Sequence, residues 1–279
     1  MPGESERENS MPLAHTDQYD NADSLLHRLW IYTNYDCNLS CSYCVAESYV
    51  GAERKGLTLS QVYRLIDEAV ELDMTELFLT GGEPFILHDI FNMLLYGLER
   101  MHVTVLSNGI LLKGKRLQQL ETLPHRDRLT IQISLDGSNA ATHDLYRGAG
   151  SWQKAVDAIV RLKEAAFHVR LGTTQTPENR HDLTAMCQLH RSLGIPDEDH
   201  IIRPLVRRGF SAKGMAISLP ALEPEVTVNR EGVFWHPVAT DPDLLISSSI
   251  FPVRDSVERI KEIRESMFMV TAGAATRYR

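Results

Sequence analysis

The chain has 279 residues, of which 43% are hydrophobic and 24% are charged, and its formal net charge at pH 7 is −8. This composition suits a globular protein with a sizeable core and excludes a wholly disordered or fibrous chain. The acidic balance argues against a broad nucleic-acid-binding face, and no apolar run approaches the roughly 20 residues that a membrane-spanning helix needs.

The first 28 residues are polar and acidic, and they contain no apolar segment of the kind found in secretory signals. We expect residues 1–28 to be a disordered lead-in. The chain has four cysteines, three of which lie between positions 37 and 44, so the sequence does not indicate a disulfide framework. This clustering favours metal-binding thiolates in a reducing compartment and predicts a cytoplasmic protein.

Apolar, β-rich segments alternate with amphipathic helical segments from residue 29 to about residue 210. Strands are predicted at 29–35, 76–80, 102–107, 129–135, 168–174 and 200–206. The first helix is expected to begin with Ser60 as its cap, and later helices are predicted at 152–166 and 182–193. Strands followed by helices imply a parallel sheet with right-handed crossovers.

The fold class predicted from this alternation is α/β, as a partial (β/α)6 barrel of parallel strands. A closed eight-fold barrel needs about 250 residues, and a doubly wound sheet is the alternative. Beyond residue 210, a hairpin is predicted at 226–238 and a closing helix at 253–268. We therefore expect a core over residues 29–210 and a short C-terminal hairpin-plus-helix cap over residues 211–279.

The strongest chemical signal is the loop Cys37-Asn-Leu-Ser-Cys41-Ser-Tyr-Cys44, directly after the first predicted strand. Three thiolates at this CX3CX2C spacing can hold three corners of an iron–sulfur cube and leave the fourth iron without a protein ligand. A structural zinc site prefers four protein ligands, and the remaining cysteine, Cys187, falls on a predicted helix. The loop therefore favours a reactive metal site.

Further motifs follow the next strands in order. They are Thr-Gly-Gly-Glu-Pro at 80–84, Ser-Asn-Gly at 107–109, Ser-Leu-Asp-Gly at 134–137, and a His-Asp…Arg-Gly…Gly-Ser-Trp stretch over 143–152. Together with the cysteine loop, they resemble the radical S-adenosylmethionine (radical SAM) superfamily, in the SPASM/twitch-type branch that includes peptide-modifying maturases. The resemblance implies two cofactors: a single [4Fe-4S] cluster on Cys37, Cys41 and Cys44, and S-adenosylmethionine (SAM).

The resemblance also implies which residues contact SAM. The turn formed by Gly81, Gly82 and Glu83 would bind the methionine amino group, with Glu83 accepting a hydrogen bond from it. Tyr43 would lie beside the adenine. The alternatives are an ordinary strand-end turn with an exposed glutamate and a tyrosine that only packs the loop.

Five more SAM contacts are expected further along the chain. Ser107 and Asn108 would contact the ribose, although Asn-Gly is also a common turn. Ser134 and Arg147 match positions that bind the ribose or the carboxylate of SAM, because a guanidinium pairs well with a carboxylate; a surface ion pair is the alternative for Arg147. Leu205, or its neighbour Val206, can pack on the adenine.

Three residues have less specific assignments. Asp136 is interpreted as a turn former, with a substrate contact or a proton acceptor as the alternatives. His236, in the predicted hairpin, is interpreted as a structural histidine, with a substrate contact or a proton donor as the alternatives. Cys187 is a hypothetical hydrogen donor to a substrate radical, because it is the one thiol outside the CX3CX2C loop.

The resemblance implies an enzyme that reductively cleaves SAM at the cluster, with electrons from an external donor such as flavodoxin or ferredoxin. The 5′-deoxyadenosyl radical then abstracts a hydrogen from the substrate. No cysteine follows Cys187, so we expect no auxiliary cluster, and the 28-residue lead-in is too short for a precursor-docking domain. These features favour a small-molecule substrate such as a sugar or nucleoside, and an epimerase, dehydratase, deoxygenase or oxidoreductase. The alternatives are modification of a ribosomal peptide or protein, and a non-catalytic iron–sulfur sensor or partner subunit.

Overall fold

A computed structural model describes residues 26–219, 222–238 and 241–271. Strands and helices alternate through the first part of this chain. In order they are β1 (Arg28–Tyr32), α1 (Leu59–Glu71), β2 (Glu76–Thr80), α2 (Ile90–Leu98), β3 (His102–Ser107), α3 (Lys115–Glu121), β4 (Leu129–Ser134), α4 (Ala140–Arg147), α5 (Ser151–Glu164), β5 (His168–Gln175), α6 (Leu183–Ser192) and β6 (His200–Pro204). Three short strands and a helix follow: β7 (Val226–Asn229), β8 (Gly232–Phe234), β9 (Leu245–Ser247) and α7 (Val253–Thr271).

Within the described residues the strands form one nine-stranded sheet in the order β6-β5-β4-β3-β2-β1-β7-β8-β9. Neighbours from β6 to β7 are parallel, while β7, β8 and β9 pair in antiparallel fashion. This arrangement confirms the predicted α/β fold with a mostly parallel sheet. The predicted hairpin is part of that sheet, because Leu29 of β1 lies opposite Val226 of β7.

The core lies between the sheet and its helices. Leu77, Phe78 and Leu79 are consecutive in β2 and all buried, as expected for a parallel strand covered on both faces. Helix α1 buries Val62, Leu65, Ile66 and Ala69, whose three- and four-residue spacing places them on one face. Among the described residues, no helix is long and apolar enough to cross a bilayer.

The start of α1 differs from the prediction. The cap is Thr58, not Ser60: the Thr58 hydroxyl accepts from Gln61 N at 3.3 Å, and Gln61 Oε1 accepts from Thr58 N at 2.8 Å. This reciprocal pair is a capping box, which satisfies two backbone donors at once. The helix therefore begins at Leu59, directly after the Thr58 cap, and Ser60 lies in its first turn.

Helix α4 was not predicted. It begins after Asn139, whose side chain accepts from Thr142 N at 3.2 Å, and ends at Gly148, with φ of 103°. His143 is its one buried residue, so the segment lacks the apolar periodicity that marks a core helix.

Candidate active site

A cavity of about 200 Å³ lies at the carboxyl ends of β1 to β4. Parallel strands bring their carboxyl ends to one edge of the sheet, so the loops that follow them converge there. Most of the predicted cluster and SAM residues line this cavity: Cys37, Tyr43, Cys41, Cys44, Gly81, Gly82, Ser107, Asn108, Ser134 and Arg147.

The three cysteines of the loop after β1 are free and partly buried. Backbone N–H groups approach two of the sulfurs, with Leu39 N 3.4 Å from Cys37 Sγ and Ser48 N 3.4 Å from Cys44 Sγ. Burial raises the pKa of Cys37 to about 12 and also raises the pKa of Cys41. Metal binding replaces thiol protons, and a set of three sulfur donors suits an iron–sulfur cube with one open iron.

The glycine pair after β2 packs against the backbone that leads into Cys37. A Cβ on Gly82 would lie 2.1 Å from Asp36 O, and one on Gly81, with φ of +141°, would lie 2.3 Å from Asn34 O. Gly82 N also donates to Asn34 O at 2.8 Å. The glycines therefore permit close contact between two loops of the site, in addition to forming part of the cavity wall.

Sequence reasoning missed the buried residues Asn34 and Asp36. Asn34 Nδ2 donates to Asp36 O at 2.8 Å and to Asp36 Oδ1 at 2.7 Å, which fixes the turn before Cys37. In the sequence, the signal that could have identified these two residues is their position between an apolar strand and the first cysteine. Tyr32, Thr80 and Leu106 were also missed; they line the cavity from the last or penultimate positions of their strands.

Glu83 is fully buried and is not among the cavity-lining residues. Its carboxylate accepts from Ser107 Oγ at 2.9 Å, Asn108 N at 2.9 Å and Phe85 N at 3.1 Å. Burial raises the pKa of Glu83 to about 7 despite these donors. The side chain thus joins the loop after β2 to the loop after β3, and the predicted contact of Glu83 with SAM stays a prediction.

Arg147 pairs with Asp136 beneath the cavity wall. The buried Asp136 carboxylate accepts from Arg147 Nε and from the Tyr43 hydroxyl, and its Oδ1 accepts from Thr174 N at 2.8 Å. The Arg147 guanidinium carbon lies 5.4 Å from the centroid of the Tyr43 ring. A guanidinium has five N–H donors, so this pair leaves others for a ligand carboxylate. Asp136 is therefore more than a turn former.

The next two residues, His143 and Asp144 of the 143–152 motif, accept hydrogen bonds from backbone N–H groups near this pair and at the start of α5. His143 Nδ1 accepts from Asp136 N at 3.0 Å, and burial lowers the pKa of His143 to about 4, which keeps the ring neutral. Asp144 accepts from Gly150 N at 2.6 Å and Trp152 N at 2.8 Å. Asp144 thereby satisfies free N–H groups at the start of α5.

Besides Glu83, three more residues singled out from the sequence lie outside the set that lines the cavity. Leu205 is buried just past β6, where its N donates to Gln175 O at 2.9 Å. His236 is buried in the loop just past β8, and its Nδ1 accepts from Val238 N at 3.1 Å, as expected for a structural histidine. Cys187 lies on α6 beside His190 and His200, and this placement gives the hydrogen-donor hypothesis no support.

Thiols after the first strand of a parallel sheet, with polar groups at the ends of its neighbours, define an α/β protein with a thiolate-held metal cofactor. The chain belongs to the radical SAM superfamily, because the sequence profile of that family matches residues 31–190 of this chain. The family uses a [4Fe-4S] cluster and SAM, which confirms the predicted cofactors.

Two curated relatives share this segment. The AdoMet-dependent heme synthase of Methanosarcina barkeri is 31% identical over 160 residues, which are 57% of this chain and 45% of the relative. The antilisterial bacteriocin subtilosin biosynthesis protein AlbA of Bacillus subtilis is 30% identical over 161 residues, covering 57% of this chain and 35% of AlbA. The matched segment thus spans less than half of either relative.

Solved structures support the fold. Streptococcus suis SuiB bound to precursor peptide SuiA has a TM-score of 0.59 to this chain at 18% identity, covering 71% of this chain and 44% of SuiB. SuiB has also been solved bound to S-adenosylmethionine. The likeness confirms that the sheet is of the partial-barrel type.

Proposed function

We propose that this chain is a radical SAM enzyme that modifies a ribosomally made peptide or protein. The observation that supports a radical SAM enzyme most directly is the cavity at the sheet edge, which is lined by the three cysteines, the Gly81–Gly82 turn and Arg147. When bound there, the cluster and SAM supply a 5′-deoxyadenosyl radical that takes a hydrogen atom from an unactivated carbon. An external donor such as flavodoxin or ferredoxin would supply the electron.

The protein residues hold and orient these groups. Cys37, Cys41 and Cys44 bind the cluster. Arg147, aimed by Asp136, pairs with the SAM carboxylate, and the Tyr43 ring packs beside the adenine. The Gly81–Gly82 backbone meets the methionine amino group.

Ser107 and Asn108 are the proposed ribose contacts. Glu83 holds both residues in place, because its carboxylate accepts from Ser107 Oγ and Asn108 N. Glu83 thereby acts through its neighbours.

Two comparisons favour a peptide over the sugar or nucleoside expected from the sequence. AlbA is, by its name, a biosynthesis protein for a bacteriocin, and SuiB has been solved with a precursor peptide. The rim of the site also suits an extended chain. Tyr49 and Phe210 are 46% and 45% exposed with ring centroids 6.3 Å apart, and Phe210 N donates to Cys44 O at 3.1 Å. An exposed aromatic pair beside the cysteine loop can receive apolar side chains of a peptide.

The test uses the cluster-loaded protein, SAM, a reductant and a synthetic peptide whose sequence is encoded beside the gene of this protein. A peptide-dependent rise in 5′-deoxyadenosine, together with a mass change in the peptide, is expected. The control is a peptide of the same composition in scrambled order. Stimulation by a sugar or nucleoside, with the peptide inert, would overturn the proposal.

A further inference from the structure

We propose that Cys187, His190 and His200 form a zinc site that is separate from the cluster. Cys187 and His190 are three residues apart on α6 and therefore share one face of the helix, and His200 is the first residue of β6. The thiol and one nitrogen of each ring lie within 4.8 Å of one another. None of the three residues lines the cavity.

Hydrogen bonds fix which nitrogen of each ring has a free lone pair. His190 Nδ1 lies 3.0 Å from Ile195 O. Because a carbonyl oxygen can only accept a hydrogen bond, Nδ1 carries the proton and Nε2 has the free lone pair. Thr173 Oγ1 donates its proton to Leu135 O at 2.6 Å. It must therefore accept from His200 Nε2 at 2.8 Å, which leaves His200 Nδ1 for a metal. Metal-binding histidines are oriented by outer hydrogen bonds of this kind.

Asp197 provides a fourth ligand atom, a carboxylate oxygen, near the group. Its Oδ1 lies 3.6 Å from His190 Nε2. A ring lone pair and a carboxylate oxygen that face each other repel, and a cation between them makes the contact favourable. Arg191 donates to both oxygens of Asp197, from Nε to Oδ1 at 2.6 Å and from Nη2 to Oδ2 at 2.5 Å. A carboxylate has about four lone-pair sites, so Oδ1 can accept from Arg191 and bind a metal as well.

The donor set identifies the metal. One thiolate, two imidazoles and a carboxylate suit Zn²⁺, which takes sulfur, nitrogen and oxygen ligands in a tetrahedral arrangement. His190 and His200 are 1% and 7% exposed, so the site is largely closed to solvent. Bound zinc would tie α6 to the start of β6 and act structurally.

X-ray absorption at the zinc edge tests the site in the full-length, cluster-loaded protein after one equivalent of Zn²⁺ is added. The expected spectrum has one sulfur at about 2.3 Å and three nitrogen or oxygen ligands at about 2.0–2.2 Å, with the iron content unchanged. Zinc with three sulfur neighbours and a loss of iron would place it on Cys37, Cys41 and Cys44 and would overturn the proposal.

Variants test the ligands by competition with a chromophoric zinc chelator. Cys187→Ala and His200→Gln are expected to abolish the site, while Thr173→Val, which removes only the outer hydrogen bond, lowers affinity about 10- to 100-fold. His168→Gln is the matched control, because His168 pairs with Asp199 and is 49% exposed. Asp197→Asn, on the surface, gives a weakened site even if the buried variants fail to fold. Zinc affinity that is equal in wild type, Thr173→Val and Asp197→Asn contradicts the proposal.

Discussion

Asp136 shows how one buried carboxylate organises the site. Its carboxylate accepts hydrogen bonds from Arg147, Tyr43 and the backbone N–H of Thr174. The backbone N–H of Asp136 donates to the ring of His143. Arg147 and Tyr43 both line the cavity, so Asp136 positions two cavity-lining side chains without lining the cavity itself. The sequence favours a turn residue at Asp136 over a substrate contact or a proton acceptor, because a strand-end Asp-Gly pair does not reveal which side chains will reach the carboxylate.

Arg147→Lys is expected to weaken SAM binding. Lysine lacks the planar fork that can pair with Asp136 and a ligand carboxylate at once. A hydrogen bond to a charged group contributes about 1.5–3 kcal/mol, so the Kd for SAM should rise roughly 10- to 100-fold. Equilibrium dialysis against the cluster-loaded protein measures this, with Arg116→Lys as control because Arg116 contacts Phe85 O instead. An unchanged Kd with normal iron content would rule out the assigned contact.

His143 predicts a loss of stability in acid. Its pKa is about 4 in the folded protein, below the ordinary value near 6.5, so the unfolded chain binds a proton in this window and the folded chain does not. The contribution of His143 to stability is therefore complete above pH 6.5 and falls as the pH drops towards 4, by about 2 kcal/mol at pH 5.

Urea unfolding of the metal-free chain at pH 7.5 and pH 5 checks this expectation. His143→Gln keeps an acceptor for Asp136 N but does not titrate, so the variant should lose less stability between the two values. Equal losses in both proteins would show that other groups cause the acid dependence.

Among the secondary-structure elements, the strands could be predicted from the sequence, whereas helix α4 and the pairing of β7 with β1 could not. β2 is an apolar run, while β3 and β4 place apolar residues mostly at alternate positions, and both patterns are typical of strands. Helix α4 has one buried residue and no apolar stripe, so periodicity could not detect it. The pairing of β7 with β1 joins residues about 200 positions apart in the sequence, and nothing local to either strand specifies its partner.

The capping box of α1 gives a prediction with a matched control. Thr58→Ala removes the acceptor for Gln61 N and should lower the free energy of unfolding by about 1 kcal/mol. Ser60→Ala, at the cap position expected from sequence, should change stability little because Ser60 lies inside the helix. Urea unfolding of the two variants decides the matter, and a larger loss for Ser60→Ala would contradict the assignment.

Contact between the loops after β1 and β2 gives another prediction. Gly82→Ala places a Cβ at 2.1 Å from Asp36 O, so one loop must move away from the other. Because Asp36 precedes Cys37, the iron bound after anaerobic reconstitution should fall well below the wild-type content. Ser42→Ala is the control, because Ser42 lies in the cysteine loop with an exposed side chain. Full iron loading of Gly82→Ala would show that the contact is dispensable.

For the whole molecule, the sheet explains both the success and the limits of sequence reasoning about the site. Motifs after successive parallel strands must converge, and ten predicted residues do line one cavity. Side-chain direction is not encoded in such motifs, so Glu83 lies behind the cavity wall and Leu205 lies elsewhere. The expectations of a core over 29–210, a cap beyond it and a cytoplasmic location stay predictions; residues 1–25 of the lead-in lie outside the described residues.

The most direct test of the central claim is an anaerobic assay for SAM cleavage. The reconstituted, reduced protein is incubated with SAM, and 5′-deoxyadenosine is measured for wild type, Cys41→Ala and Ser42→Ala. Ser42 is the matched control, because it lies in the same loop with an exposed side chain. We expect about four irons per chain and 5′-deoxyadenosine from wild type and Ser42→Ala, with loss of both in Cys41→Ala. A stable cluster that neither binds nor cleaves SAM would contradict the proposed function and indicate an iron–sulfur sensor or partner subunit.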